Sequence, residues 1–203
     1  MGVQCLEAIE DLHQLGYIHR DAKPSNFAIG TPPSVRVVYM LDFGLCRRHL
    51  KASPSGGAEV RRRRRSAGFR GTVRYAPLRA HHGEELGRRD DVESWLYMLI
   101  EMTKGRLPWT QATDREIVKT MKEESREGQP LKTMLGGCPT TFIGLLGFVD
   151  KLSYASEPDY MHLYGQIRQS LRDLDLREQD PYDWEPAGRF HEYMRRRLPS
   201  QPT

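Results

Sequence analysis

GYIHRDAKPSNF, residues 16–27, sets His19, Arg20, Asp21, Lys23 and Asn26 between one apolar run and the next. A turn needs one or two polar residues to bend and cap the backbone, so five such side chains within eight positions call for a further reason. Upstream, MGVQCLEAIEDLHQL places Cys5, Leu6, Ile9, Leu12 and Leu15 largely three and four residues apart. That spacing predicts a helix over 1–15 with one buried stripe, stopped by Gly16. Downstream, NFAIG (26–30) and VRVVYML (35–41) read as short strands, and the prolines of TPPS between them favour a turn. The polar cluster therefore sits where a helix hands over to a hairpin.

From Asp42 to about Leu78 periodicity is lost and Gly, Ser, Pro and Arg accumulate, which predicts a long surface loop. RDDVESWLYMLIEMTKG (89–105) then opens with Asp90 and Asp91 at a helix N-terminus and is apolar around most of its circumference, the pattern of a core helix ending at Gly105. Further helices are predicted at about 113–126, 139–153 and 158–173, followed by a polar tail.

The chain has 203 residues, 38% hydrophobic and 29% charged, enough for a sizeable core and unlike collagen or bulk disorder. Cys5, Cys46 and Cys138 are odd in number and far apart, which supports neither a disulfide framework nor a zinc site and suits a reducing, cytoplasmic setting, with the nucleus left open. No apolar run has the length of a membrane span and the N-terminus lacks signal-peptide regions, so no membrane partner is expected. Leu6 stands where a myristoylation signal carries Ser or Thr. The net charge of +4 is uneven: VRRRRRSAGFRGTVR gathers Arg61–Arg65, Arg70 and Arg74. A solvated loop and an anion-seeking patch both fit that run, whereas nucleic acid would call for aromatic interleaving that is missing.

Taken singly, an Asp, Asn or His in a turn is more often a cap or a packing residue than a catalyst. Taken together, H-R-D-x-K-x-x-N at 19–26 and D-F-G at 42–44 fix eight identities in order, and the pair resembles the catalytic and metal-binding loops of protein kinases. That resemblance implies a serine/threonine protein kinase passing the γ-phosphate of ATP to proteins, with ATP and Mg²⁺ as cofactors. It makes Asp21 the catalytic carboxylate, Lys23 the cation facing the γ-phosphate, and Asn26 and Asp42 the magnesium ligands. Phe43 and Gly44 would pack and turn behind Asp42, with His19 and Arg20 in support.

FRGTVRYA (69–76), RDDVESWLYMLIEMTKGRLPW (89–109), PDY (158–160) and DPYDWE (180–185) narrow the likeness to the casein kinase 1 superfamily, and within it to the tau-tubulin kinase branch. By that comparison Thr72 would lie beside Asp21 and Lys23 at the substrate end of the activation segment, and Asp91 would hold the catalytic-loop backbone. APL at 76–78 departs from the Ala-Pro-Glu that most kinases carry, in a way this superfamily shares. The implied fold is mainly α (α+β): a kinase C-terminal lobe, helical, with a short hairpin carrying both loops. Residues 1–188 would be the domain, about 42–78 its activation segment and 189–203 its tail.

Because no G-x-G-x-x-G occurs in the chain, the N-terminal lobe is expected to be absent and the sequence to begin within the helix before the catalytic loop, with little phosphoryl transfer from these residues alone. A monomer is expected. Three readings stay open: part of an active kinase, a lobe-only module that binds partners without catalysis, or a nucleic-acid-binding helical domain. Arg74 with Arg61–Arg65 could recognise acidic or phosphorylated substrates, and Ser66 could itself accept phosphate.

Overall fold

A computed structural model describes residues 1–53 and 56–196, so residues 197–203 of the expected tail lie outside the described part. Helix α1 (Gly2–Gln14) buries Val3, Cys5, Leu6, Ile9 and His13, and Gly16 at φ +84° ends the run. The stripe differs from the sequence expectation at its C-terminal end: His13 is buried, Leu12 only partly, and Leu15 is 75% exposed. Its geometric reason is that the helix stops at Gln14, one residue before Leu15, while His13 finds buried polar partners.

Helix α1 lies on α3 (Arg88–Lys104), the centre of the core. Every α3 residue from Arg88 to Ile100 is buried, as a helix apolar on most faces requires. Asp90 accepts from the N–H of Gly87 (2.6 Å) at its N-terminus, and Gly105 at φ +82° closes the other end. Trp95 Nε1 donates to the Gly2 carbonyl (2.9 Å), so the core helix holds the first turn of α1.

The predicted hairpin is present in shorter form as β2 (Phe27–Ile29) and β3 (Val38–Met40), paired antiparallel with Phe27 opposite Met40. Before it comes β1 (Tyr17–Ile18), paired with β4 (Arg47–Arg48). The long loop expected over 42–78 needs correction, because it also contains a second hairpin, β5 (Leu50–Ala52) with β6 (Ala58–Val60). Three-residue strands are too short to show alternation, while Gly56 and Gly57, at φ +91° and +81°, supply the turn.

After a short α2 (Leu78–His81) and α3 come α4 (Arg115–Glu124), α5 (Gly128–Leu135), α6 (Thr141–Lys151) and α7 (Tyr160–Asp173), three of them close to their expected bounds. Helix α5 has no counterpart in the sequence reading; Gly128 and Pro130 have low helix propensity but occupy the first turn, where no intrahelical N–H is needed. The chain divides into two compact units, 1–167 and the part from Arg168 onward. The second has its own stacked Tyr182–Trp184 pair (4.5 Å) and Arg168–Glu178 ion pair (2.8 Å), and α8 (His191–Arg195) lies inside the segment expected to be tail. No helix among the described residues is long and apolar enough to cross a membrane.

Candidate active site

Asp21 is the hub of the polar cluster. It is 9% exposed, and its Oδ1 accepts from both the backbone N–H and the hydroxyl of Thr72 (2.8 Å each). Its Oδ2 accepts from Lys23 Nζ (2.6 Å), which also donates to Thr72 Oγ1 (3.0 Å). Asn26 ends the 3₁₀ turn Pro24–Asn26 that Pro24 initiates, and its amide donates to the Asp21 carbonyl (2.9 Å). Asp21, Lys23, Asn26 and Thr72, brought from 51 positions apart, thus form one network.

The loop beneath them hangs on Asp91. Its Oδ2 accepts from the His19 backbone N–H (2.6 Å) and its Oδ1 from that of Arg20 (2.7 Å), with Arg20 held at φ +70°. His13 Nε2 donates to the same carboxylate (2.8 Å), and its Nδ1 accepts from the Tyr160 hydroxyl. Full burial pushes the Asp91 carboxyl up, but His13 and the two N–H donors outweigh it and leave the group below its ordinary value. Asp91 is therefore a buried anion whose hydrogen bonds set the backbone ahead of Asp21.

His19 Nε2 donates to the Leu41 carbonyl (3.0 Å), and the Leu41 N–H donates to the Asn26 carbonyl (2.8 Å). These bonds tie the start of the hairpin to its end and bring Asp42 up beside the loop. Asp42 is exposed, at φ +58°, and accepts from the Gly44 N–H (3.2 Å). Phe43 is 52% exposed and stands edge-on to His19 (5.7 Å). The Arg20 guanidinium donates to the Leu45 carbonyl (2.6 Å), fixing the residues after D-F-G.

The arginines of residues 61–74 do not act as one patch. Arg74 donates to the Thr110 carbonyl (3.0 Å) and pairs with Glu101 (3.5 Å). Arg63 pairs with Glu84, and Arg64 with Glu85, which also meets Arg47 (3.3 Å). Glu85 is nearly sealed from solvent; burial pushes its carboxyl up, and Arg64, Arg47 and Arg20 bring it below its ordinary value. Arg47 and Arg64 of that pairing, Lys51, which pairs with Glu59 (2.7 Å), and Arg61 and Arg62 wall a cavity of about 450 Å³, of which Arg74 is no part.

Several residues of the site had no sequence signal of their own. Gly71, at φ +100°, lets Thr72 approach: a Cβ there would lie 2.8 Å from the Arg20 carbonyl. Leu78 leaves the segment end without the common glutamate, but α3 supplies a carboxylate. Glu93 accepts from the Leu78 N–H (2.9 Å), Tyr97 hydroxyl (2.7 Å) and Arg126 (2.7 Å), and pairs with Arg79 (3.5 Å). The hint in the sequence was a glutamate one turn into a core helix, just ahead of its apolar run Trp95–Ile100.

The protein kinase domain family matches residues 1–140. A probable serine/threonine-protein kinase of Dictyostelium discoideum is 41% identical over 186 residues, covering 91% of this chain and 36% of that protein. The serine/threonine-protein kinase spe-6 of Caenorhabditis elegans is 32% identical over 192 residues, covering 93% of this chain and 50% of its own length. The chain thus spans between about a third and a half of the length of these relatives.

Proposed function

This chain belongs to the protein kinase domain family, and from that membership we propose that its protein transfers the γ-phosphate of ATP to serine or threonine hydroxyls of proteins. The observation that carries the reading is the Asp21–Lys23–Thr72 network, a nearly buried carboxylate beside a partly exposed ammonium. Asp21 receives the hydrogen bond of the acceptor hydroxyl and orients it, while Lys23 offers positive charge to the transferring phosphoryl group. Thr72 holds Asp21 from the activation segment, and Asp91 keeps the loop backbone in place. Serine/threonine preference is supported by Lys23 two residues after Asp21.

The donor set suits magnesium. Asn26 turns its NH₂ toward Asp21, leaving its amide oxygen as acceptor, and Asp42 adds an exposed carboxylate: hard oxygens of the kind magnesium prefers. Asn26 and Asp42 would hold the ion, and when bound it would neutralise charge on the phosphates of ATP. Gly44 and Phe43 shape the turn that presents Asp42.

We read residues 1–188 as the C-terminal lobe of the domain, 42–78 as its activation segment, and the branch as tau-tubulin kinase-like within the casein kinase 1 superfamily. FRGTVRYA and DPYDWE support that branch, as does Leu78 where most kinases carry the acidic residue. Acidic or phosphorylated proteins are the proposed substrates, supported by the five-cation cavity.

One assay tests both levels, using protein expressed from its own gene, magnesium–ATP, and paired acidic and neutral peptides. Asp21→Asn is expected to lower kcat by about 10²–10⁴-fold with the fold intact. Arg61→Glu with Arg62→Glu is expected to erase the advantage of the acidic peptide. Full activity in the first variant would sink the catalytic assignment, and an unchanged peptide ratio in the second would sink the substrate class.

A further inference from the structure

Lys122, on α4, has no exposed surface and plays no part in the network described above. A buried ammonium is costly unless each of its three N–H groups finds an acceptor. Here all three do: Nζ lies 2.8 Å from the Val73 carbonyl, 2.6 Å from the Ala76 carbonyl and 3.2 Å from His81 Nε2. The rings of Tyr97 and Trp109 flank it with centroids at 4.9 and 5.3 Å, faces that attract a cation.

Two of those acceptors belong to the turn that follows Thr72. Within it, the Tyr75 and Ala76 N–H groups both donate to the Thr72 carbonyl (2.9 and 2.8 Å), and Trp109 Nε1 donates to the Arg74 carbonyl (2.8 Å). The carbonyls of residues 73, 74 and 76 are thus gripped from the core by Lys122 and one of the rings that flank it. At the other end of this turn, Thr72 makes its two bonds to Asp21.

We propose that Lys122 is a positioning residue: by gripping the carbonyls of Val73 and Ala76 it holds the turn after Thr72, and so keeps Thr72 against Asp21 where an acceptor peptide is received. The last clause rests on the kinase reading above; the grip itself does not.

Hydrogen exchange on the 203-residue chain separates the two. In Lys122→Met, which removes every donor at similar length, segment 69–77 is expected to exchange about tenfold faster or more while α3 segment 92–100 is unchanged. Lys122→Arg, which keeps a cation, should recover part of that protection. Unchanged exchange over 69–77, or equal acceleration of both segments, would overturn the proposal.

If Lys122→Met does not fold, the wild-type chain still decides. Competitive acetylation of Lys122 should report the same opening free energy as the Thr72, Tyr75 and Ala76 amides, and agreement with the α3 amides instead would overturn the grip. In protein that transfers phosphate, Lys122→Met should raise the peptide KM about tenfold while leaving the ATP KM alone. Equal movement of both would overturn the link to peptide reception. Absence of transfer in the wild type counts against the kinase reading, with the exchange result still deciding the grip.

Discussion

Thr72 reaches Asp21 because the residue before it has no side chain. Gly71 combines a φ of +100°, which L-residues rarely adopt, with a backbone carbonyl, that of Arg20, where a Cβ would have to go. Neither the carbonyl nor Arg20 can yield, since the Arg20 N–H is bound to Asp91 and its guanidinium to Leu45. Gly71→Ala is therefore expected to cost about 1–3 kcal/mol and to detach Thr72 from Asp21. Urea denaturation reads the first effect and exchange of the Thr72 amide the second; a wild-type midpoint with a protected amide would contradict the argument.

Helix α3 does the most to join core and site, since one element supplies Asp91 to the loop, Glu93 to the segment end and Trp95 to α1. Glu93 is fully buried among Leu78, Tyr97, Arg126 and Arg79, and burial raises its carboxyl less than these partners lower it. Glu93→Gln keeps the shape but removes the anion that Arg126 and Arg79 share, leaving them Asp150 (3.1 Å) and Asp90 (3.9 Å), an expected loss of about 1–3 kcal/mol in unfolding free energy. A loss below about 1 kcal/mol, the range of an exposed pair, would show that the network carries little.

What the sequence made legible at this scale follows from locality. Helix α3 announces itself by being apolar on most faces, and the β2–β3 hairpin by its prolines, because those signals lie within one window. The β5–β6 pair is too short to alternate, and α5 begins with residues of low helix propensity. In the candidate site the motif residues Asp21, Lys23, Asn26 and Asp42 stood out by identity and spacing, as did Thr72 and Asp91 through the resemblance. His13, Gly71, Glu93 and Lys122 did not, since a partner 147 residues away, as Tyr160 is from His13, leaves no trace in local pattern.

Across the molecule, buried imidazoles set the response to acid. Burial, with Arg88 and His13 nearby, lowers His49 to about 4, and burial with Lys122 nearby lowers His81 to about 4. Unfolded, each titrates near 6.5, so between pH 6.5 and 4 the unfolded chain binds more protons and stability falls, by on the order of 2 kcal/mol for each group. Asp90 works the other way: burial lifts it to about 7, so its protonation favours the folded state as pH drops from 7 toward 4. His49 makes its ring contact with Tyr154 (5.1 Å) while neither ring nitrogen has a hydrogen-bond partner among the described residues, so His49→Phe should keep the packing and lose less stability than wild type between pH 6.5 and 4. Parallel stability curves for the two proteins would rule this out.

The grip of Asp91 on the backbone of His19 and Arg20 spans 72 and 71 positions, so the local bonds of Lys23 and Asn26 leave the backbone ahead of Asp21 to be set by a residue far along the chain. A ribosome-bound chain that has emitted the whole H-R-D and D-F-G region still lacks the carboxylate that sets it. The two bonds that set the backbone of His19 and Arg20 therefore have to wait in synthesis until α3 emerges, whatever turn residues 21–26 have formed by then.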